Sequence, residues 1–250
     1  YSPFKRCWLA ELDYALLEEH AIPTIKQPVS VNQQDEYDLH SYKQSNINQD
    51  LWPVGEESIQ TMIVNFLDRK GSDYKTDRNF PGLTATSMMS PYINSGVVSS
   101  KWCLNQARAR NYDALDEGDK GLVHWISEIL WREFYLHIIY NFPRVSMGKA
   151  FQEHFEQVPW ENNQDFIEAW KQGRTGIPIV DAGMRQMIET GWMHNRLRMI
   201  VAMFLSKNLM VDWHIGEAFF MQHLIDGDIA SNNGGWQWSA STGTDAAPYF

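Results

Sequence analysis

Apolar side chains recur through most of this chain at the three- and four-residue spacing of a helix face, and no convincing run of strand-like alternation interrupts them. Phe4, Trp8, Leu12 and Leu16 stand four apart and predict a helix over residues 4–20. From Ile22 to Pro53 the pattern dissolves into Pro, Gln, Asn, Ser and Asp, the composition of a linker crossing a surface. Pro53-Val54-Gly55-Glu56-Glu57 opens a second region, where Ile59, Ile63, Phe66 and Leu67 predict an amphipathic helix ending at Gly71. Lys120 to Tyr140 carries enough Leu, Ile, Val and Phe to line a broad buried face. Further helices are predicted at Gln164–Gln172, at Pro178–Thr190 with Gly191 as its stop, at His194–Lys207 and at Gly216–Leu224. The expected fold class is mostly α, helical from about residue 54 onward.

Composition narrows the setting. The 250 residues are 44% hydrophobic, sufficient for one large core or two modest ones. Cys7 and Cys103 stand far apart with no metal-type spacing, which predicts two buried, inert thiols in a reducing cytoplasm. No apolar run reaches the roughly 18–20 residues a bilayer span requires. The first residue is Tyr, not Met, consistent with a segment upstream. The net charge of −10 counts against a nucleic-acid partner at first sight, but residues 11–60 hold ten acids against Lys26 and Lys43. Most of the acidity is therefore confined to one segment, leaving room for a basic patch elsewhere. Eleven Trp exceed what packing alone needs; they can be core, stacking platforms or electron carriers.

Four stretches offer chemistry. Trp125, Glu128, Arg132 and Tyr135, with Trp131 beside them, form a charged and aromatic stripe that reads either as a solvated helix face or as a site wall. Asn195, Arg196 and Arg198 crowd one helix start, with Arg185 a helix earlier, as a phosphate-type patch or a solubilising surface. Thr84 to Pro91 packs four hydroxyls ahead of a Pro, either a capping loop or a phosphate cradle lacking the Gly and Lys of a P-loop. Asp226 to Trp238 combines acids, amides, glycines and two indoles without apolar periodicity, and reads as a ligand-approaching loop. Asp226 and Asp228 have too few companions for a metal site.

These residues together resemble the photolyase and cryptochrome family. The resemblance is strongest in GRTGIPIVDAGMRQMIETGWMHNRLRMIVAMFLSKNLMVDW and LIDGDIASNNGGWQWSASTGTDAAPYF. It implies an all-helical FAD-binding domain over residues 54–250, truncated at its C-terminus. Residues 20–53 would be an interdomain linker and residues 1–19 the tail of an α/β antenna domain. It also implies that Tyr74, Thr86, Ser87, Met88, Met89 and Ser90 hold the FAD phosphates and ribityl chain, with Trp125, Asn195, Asp226, Gly227 and Asp228 completing the pocket. Arg198 would pair with Asp226, and Asn232 would sit beside flavin N5. Arg78, Arg132 and Arg196 resemble DNA phosphate contacts. Glu128, Trp131, Tyr135, Asn195, Met199 and Trp238 would face the damaged bases, Glu128 and Asn232 taking part in the chemistry. Trp160, Trp213 and Trp236 match an electron relay.

The activity that the resemblance implies is light-driven splitting of cyclobutane pyrimidine dimers by a carbon–carbon lyase, with FAD active as FADH⁻ and the dimer flipped out of the duplex. The alternative is a cryptochrome-type blue-light photoreceptor without repair, and a flavin-free interaction fragment is a third reading. Asn195 and Met199 resemble bacterial class I enzymes, and Asn232 favours repair over signalling. Met88, Asn94 and Ser95 depart from common family choices around the phosphate loop. Ser146 and Met147 stand where some relatives help bind a folate antenna, so a second chromophore, folate or deazaflavin in type, is implied without being identified. The expected partner is UV-damaged DNA, and the expected state a cytoplasmic bacterial monomer away from membranes.

Overall fold

Short polar side chains set five of the eleven α-helix starts among the described residues. In the computed structural model, which describes residues 1–21, 24 and 51–244, Ser99, Asp119, Asn163, Asp212 and Asp228 each accept a backbone N–H of the first helical turn. The helices among the described residues are α1 (Ser2–Glu11), α2 (Glu56–Lys70), α3 (Tyr74–Asp77), α4 (Ser90–Asn94), α5 (Ser100–Ala109), α6 (Lys120–Asn141), α7 (Gln164–Lys171), α8 (Pro178–Thr190), α9 (Asn195–Met203), α10 (Trp213–His223) and α11 (Ile229–Ala240). No strand occurs among the described residues. None of these helices is long and apolar enough to cross a membrane.

Two buried clusters organise the helices. Ile59, Ile63 and Leu67 of α2 meet Leu104 of α5 and Leu122, Trp125 and Ile126 of α6 in the first. Trp170, Val180, Met184, Leu197, Val201, Trp213, Phe220 and Trp236 gather α7 to α11 into the second. Helix α11 touches α6, α9 and α10, so it stands where the two halves meet. Two glycines make this possible. A Cβ on Gly234 would overlap the Tyr135 ring of α6, and one on Gly216 of α10 would overlap the Trp236 indole.

The structure changes several boundaries. The helix expected over 4–20 stops at Glu11, because the Asp13 carboxylate accepts the Ala15 N–H at 2.9 Å and starts a separate 3-10 turn, Tyr14–Leu17. Gly71 does follow α2, but with φ −55°, not in a left-handed cap; its bare Cα lets α2 approach Leu122. His194 caps α9 instead of opening it, and past Met203 the chain widens into a π turn, Phe204–Asn208. Trp213 and His214 lie inside α10 because Asp212 is its cap. Most of the loop expected at 226–238 is helix α11, which buries Ala230, Asn233, Trp236 and Gln237. Cys7 is exposed, contrary to the expectation of two buried thiols, whereas burial pushes the Cys103 thiol up to about 12. The linker expected over 20–53 lies largely outside the described residues.

Candidate functional site

The hydroxyl loop reaches α4 through Met88, whose φ of +51° is the left-handed region a non-glycine residue seldom adopts. That turn directs Ser87 inward, where its Oγ lies 3.3 Å from the Trp125 indole Nε1, and leaves Ser90 beside the acidic loop. Ser90 Oγ donates to Asp226 Oδ2 at 2.6 Å. Arg198 Nη2 approaches both oxygens of Asp226, at 3.0 and 2.8 Å, while its Nε donates to the Met193 carbonyl at 2.8 Å. Asn94 Nδ2 donates to the Gly227 carbonyl at 2.7 Å. A buried carboxylate thus locks three distant stretches together, with Asp226 only 3% exposed at its side chain. Asp228 has another task, accepting from Ala230 N–H at 3.0 Å and Ser231 Oγ at 2.9 Å to start α11.

One turn into α11, Asn232 Nδ2 donates to the Glu217 backbone carbonyl at 3.0 Å, which fixes the plane of its amide. Its neighbour Asn233 donates to the Glu217 carboxyl at 2.8 Å and to the Val145 carbonyl at 3.2 Å. Burial raises the Glu217 carboxyl above the usual carboxylate range despite the Asn233 hydrogen bond. Gln237 extends the ladder to Asn233 Oδ1 at 2.9 Å and accepts the Phe151 N–H at 2.7 Å. Sequence reading missed Glu217, Asn233 and Gln237, which only the packing of α10, α11 and the segment after α6 brings together.

A second polar group joins α3, α6 and α9. Arg78 is buried, sits over the Tyr74 ring at 5.4 Å and forms an ion pair with Glu128. Burial and then the Glu128 charge push the Tyr74 phenol upward. Arg196 reaches Asn79 Oδ1 with Nε at 3.1 Å and Nη2 at 2.7 Å, and its Nη1 lies 3.6 Å from Met199 Sδ. His194 Nδ1 accepts the Arg196 N–H at 3.1 Å, which leaves the proton of the neutral ring on Nε2. Burial, then Arg78, Arg196 and Arg198, hold the His194 pKa below its ordinary value. Its buried Nε2 finds no partner among the described residues. Asn195 is exposed beside it, and Arg132 and Met199 are half-buried. Arg185 does not join this patch. Its guanidinium donates twice to the Gly173 carbonyl, at 3.2 and 2.8 Å, and steadies the loop before α8.

The indoles separate into two settings. Trp213 and Trp236 are buried in the second core, with Trp160 half-buried against the same cluster. Trp170 belongs with them, its ring 6.0 Å from Trp236 in a T-shaped contact, although the sequence reading gave it no role. Trp131 and Trp238 are half-buried. Trp131 is stacked by Tyr1 at 3.6 Å and 9°, so its flat face receives an aromatic ring from this same chain. Tyr1 Oη donates to the Ser127 carbonyl at 2.8 Å and Lys5 Nζ to Ser127 Oγ at 2.6 Å, docking α1 on α6.

The described residues thus form a helical domain in which a buried carboxylate braces a hydroxyl-bearing turn beside arginines, a buried imidazole and a cluster of indoles. Residues 125–250 match the FAD binding domain of DNA photolyase, and the chain belongs to that family. It is 43% identical to the deoxyribodipyrimidine photo-lyase of Escherichia coli over all of its length and 52% of that protein, and 48% identical to the Synechococcus enzyme of that name over 78% of this chain and 40% of that one. Among solved structures it is similar to a class III photolyase from Agrobacterium tumefaciens, at 38% identity and TM-score 0.74 over 80% of this chain and 41% of that one. A Synechocystis cryptochrome shares 31% identity and TM-score 0.71 over 78% of this chain and 41% of its own. The chain spans about half the length of the Escherichia coli relative.

Proposed function

We propose that this chain is the FAD-holding, catalytic part of an enzyme that splits cyclobutane pyrimidine dimers in DNA with blue light. The observation that carries the reading is the tie from Ser90 through Asp226 to Arg198. It braces a hydroxyl-lined turn and the start of α11 around one buried charge, as a preorganised cofactor site requires. The donor set fits a dinucleotide: Thr86 and Ser87 offer hydroxyls, Ser90 braces their turn through Asp226, and His194 offers a buried N–H without an acceptor among the described residues.

FAD, held in its reduced form, would supply light-driven one-electron chemistry to the cyclobutane ring. The protein's part is positioning. Tyr74, Met88, Met89, Trp125, Asn195, Gly227 and Asp228 would hold the cofactor, and Asn232, its amide plane set by the Glu217 carbonyl, would offer the flavin ring a neutral hydrogen-bonding group. Trp131 and Trp238 stack the flipped bases, a base displacing the Tyr1 ring that covers the Trp131 face in its absence. Glu128, with Arg78 holding its charge, hydrogen-bonds a base edge beside Tyr135 and Met199, while Arg132 and Arg196 contact phosphates. Trp160, Trp213 and Trp236 carry electrons inward from the surface when the cofactor must be reduced. Residues 1–19 would be the end of an antenna domain holding a second chromophore, and the whole would act as a cytoplasmic monomer.

The test is to load the chain with FAD, reduce it, and illuminate it with a thymine-dimer oligonucleotide. Repair to intact thymines is the expected result. Intact dimers in the presence of bound reduced flavin would overturn it, and would favour the photoreceptor reading that the structural likeness to a cryptochrome raises.

A further inference from the structure

His214 belongs to none of the groups above, yet its imidazole lies on the middle indole of the relay. The Trp213 and His214 ring centroids are 3.7 Å apart with planes 28° from parallel. One carboxylate oxygen creates this arrangement. Asp212 Oδ1 accepts the His214 backbone N–H at 3.0 Å, starting α10, and also stands 2.6 Å from the imidazole Nδ1. Asp212 is fixed in turn through its own N–H, which donates to Asn162 Oδ1 at 2.8 Å, and Glu161 N–H donates to the Met210 carbonyl at 2.8 Å. These bonds tie the segment carrying Trp160 to the one carrying Trp213.

The charged groups facing the imidazole are few. Asp212 is in contact and Glu217 lies one turn along α10. The segment packed on the other edge presents the Gly148 backbone, and the adjacent Lys149 is paired with Glu156 at 3.6 Å. Helix α11 contributes the neutral Asn233, bound to Glu217.

We propose that His214 is a proton-controlled gate on the tryptophan relay, slowing electron loss from Trp213 when protonated and releasing it when neutral. This rests on the relay assigned under the proposed function. A cation stacked on an indole opposes the positive charge that the indole must carry after giving up an electron, and Asp212 offsets only part of that opposition. In the balanced sequence one electron leaves Trp236 for oxidised flavin, Trp213 refills Trp236, Trp160 refills Trp213, and a thiol in solution refills Trp160. No covalent bond in the relay forms or breaks; the controlling proton is taken up and released at Nε2, the buried ring nitrogen that Asp212 leaves free. Burial opposes the charged ring, but the hydrogen bond and charge of Asp212, with Glu217 and the Gly148 carbonyl, raise the His214 pKa above the ordinary 6.5. The gate therefore opens as pH rises through the raised His214 pKa.

The test compares thiol-supported photoreduction of bound oxidised FAD from pH 6 to 9 in the native chain, in His214→Phe, which keeps a stacked ring, and in His214→Gln, neutral throughout. The rate ratio of native to variant, which cancels the pH dependence of the thiol, should rise by about threefold or more. Its midpoint should coincide with the His214 titration read by NMR on the flavin-free chain. A flat ratio against both variants, or a midpoint apart from the NMR titration, would overturn the gate. Trp213→Phe separates this from the relay itself: slowed photoreduction there with a flat ratio sinks only the gate. Unchanged photoreduction in Trp213→Phe sinks the relay and the gate together.

Discussion

Replacing Asp226 by Asn removes the one charge that Ser90 and Arg198 share while keeping the side chain's size. In the native chain that carboxylate is 3% exposed, accepts Ser90 Oγ at 2.6 Å and lies 2.8 and 3.0 Å from Arg198 Nη2. Arg198, 25% exposed, would keep a largely buried charge without its counter-ion. Removing one partner of a buried pair costs about 3–5 kcal/mol, and water reaching the guanidinium places this case near the lower end, about 3 kcal/mol. At about 2–4 °C per kcal/mol for a domain of this size, the midpoint of thermal unfolding should fall by roughly 6–12 °C. Circular dichroism at 222 nm reads this directly, and FAD affinity, measured separately by fluorescence, should fall at least about tenfold because the hydroxyl loop loses its anchor. The double variant Asp226→Leu with Arg198→Met removes both charges and should recover much of the stability without recovering flavin binding. A loss below about 1 kcal/mol in Asp226→Asn, the value of an exposed pair, would refute the claim that this bridge holds the site together.

Gly234→Ala forces a methyl into the Tyr135 ring and should cost about 1–3 kcal/mol in urea unfolding, with a blunted loss if Tyr135 is also cut to Ala; an unchanged midpoint would mean that α6 and α11 do not approach so closely. Trp131→Ala should weaken binding of a dimer-containing oligonucleotide by about 1–3 kcal/mol, and equal affinity in a filter-binding or anisotropy assay would remove Trp131 from the substrate surface. Glu217 gives a pH signature: its carboxyl pKa is higher folded than unfolded, so its contribution to stability is complete below the ordinary 4.5 and is lost as pH rises through the raised value. Glu217→Gln retains an acceptor for Asn233 and should flatten the stability profile above pH 4.5; parallel profiles for the two proteins would contradict a Glu217 carboxyl that burial raises.

Much of the helical layout was legible in the sequence because its causes are local. Gln164, Pro178 and Lys120 each follow a residue or precede a spacing that starts a helix, and Gly191 takes φ +71° where the pattern stops. Its signature stretches likewise pointed to the family, and the Asp226–Arg198 contact expected from the resemblance is present in the structure. Helix α11 was not legible, since Asn232-Asn233-Gly234-Gly235 has weak intrinsic helix preference. It forms through the Asp228 cap and because Asn233 and Gln237 find partners on α10 and in the segments after α6. The same limit hid Glu217, His214 and Trp170, ordinary residues in a helix pattern until neighbours surround them. Spacing along the chain determined which faces are apolar. Only the tertiary structure brought Ser90 to Asp226 across 136 positions, because hydrogen bonds and buried charges depend on distance in space, and sequence periodicity carries no record of it.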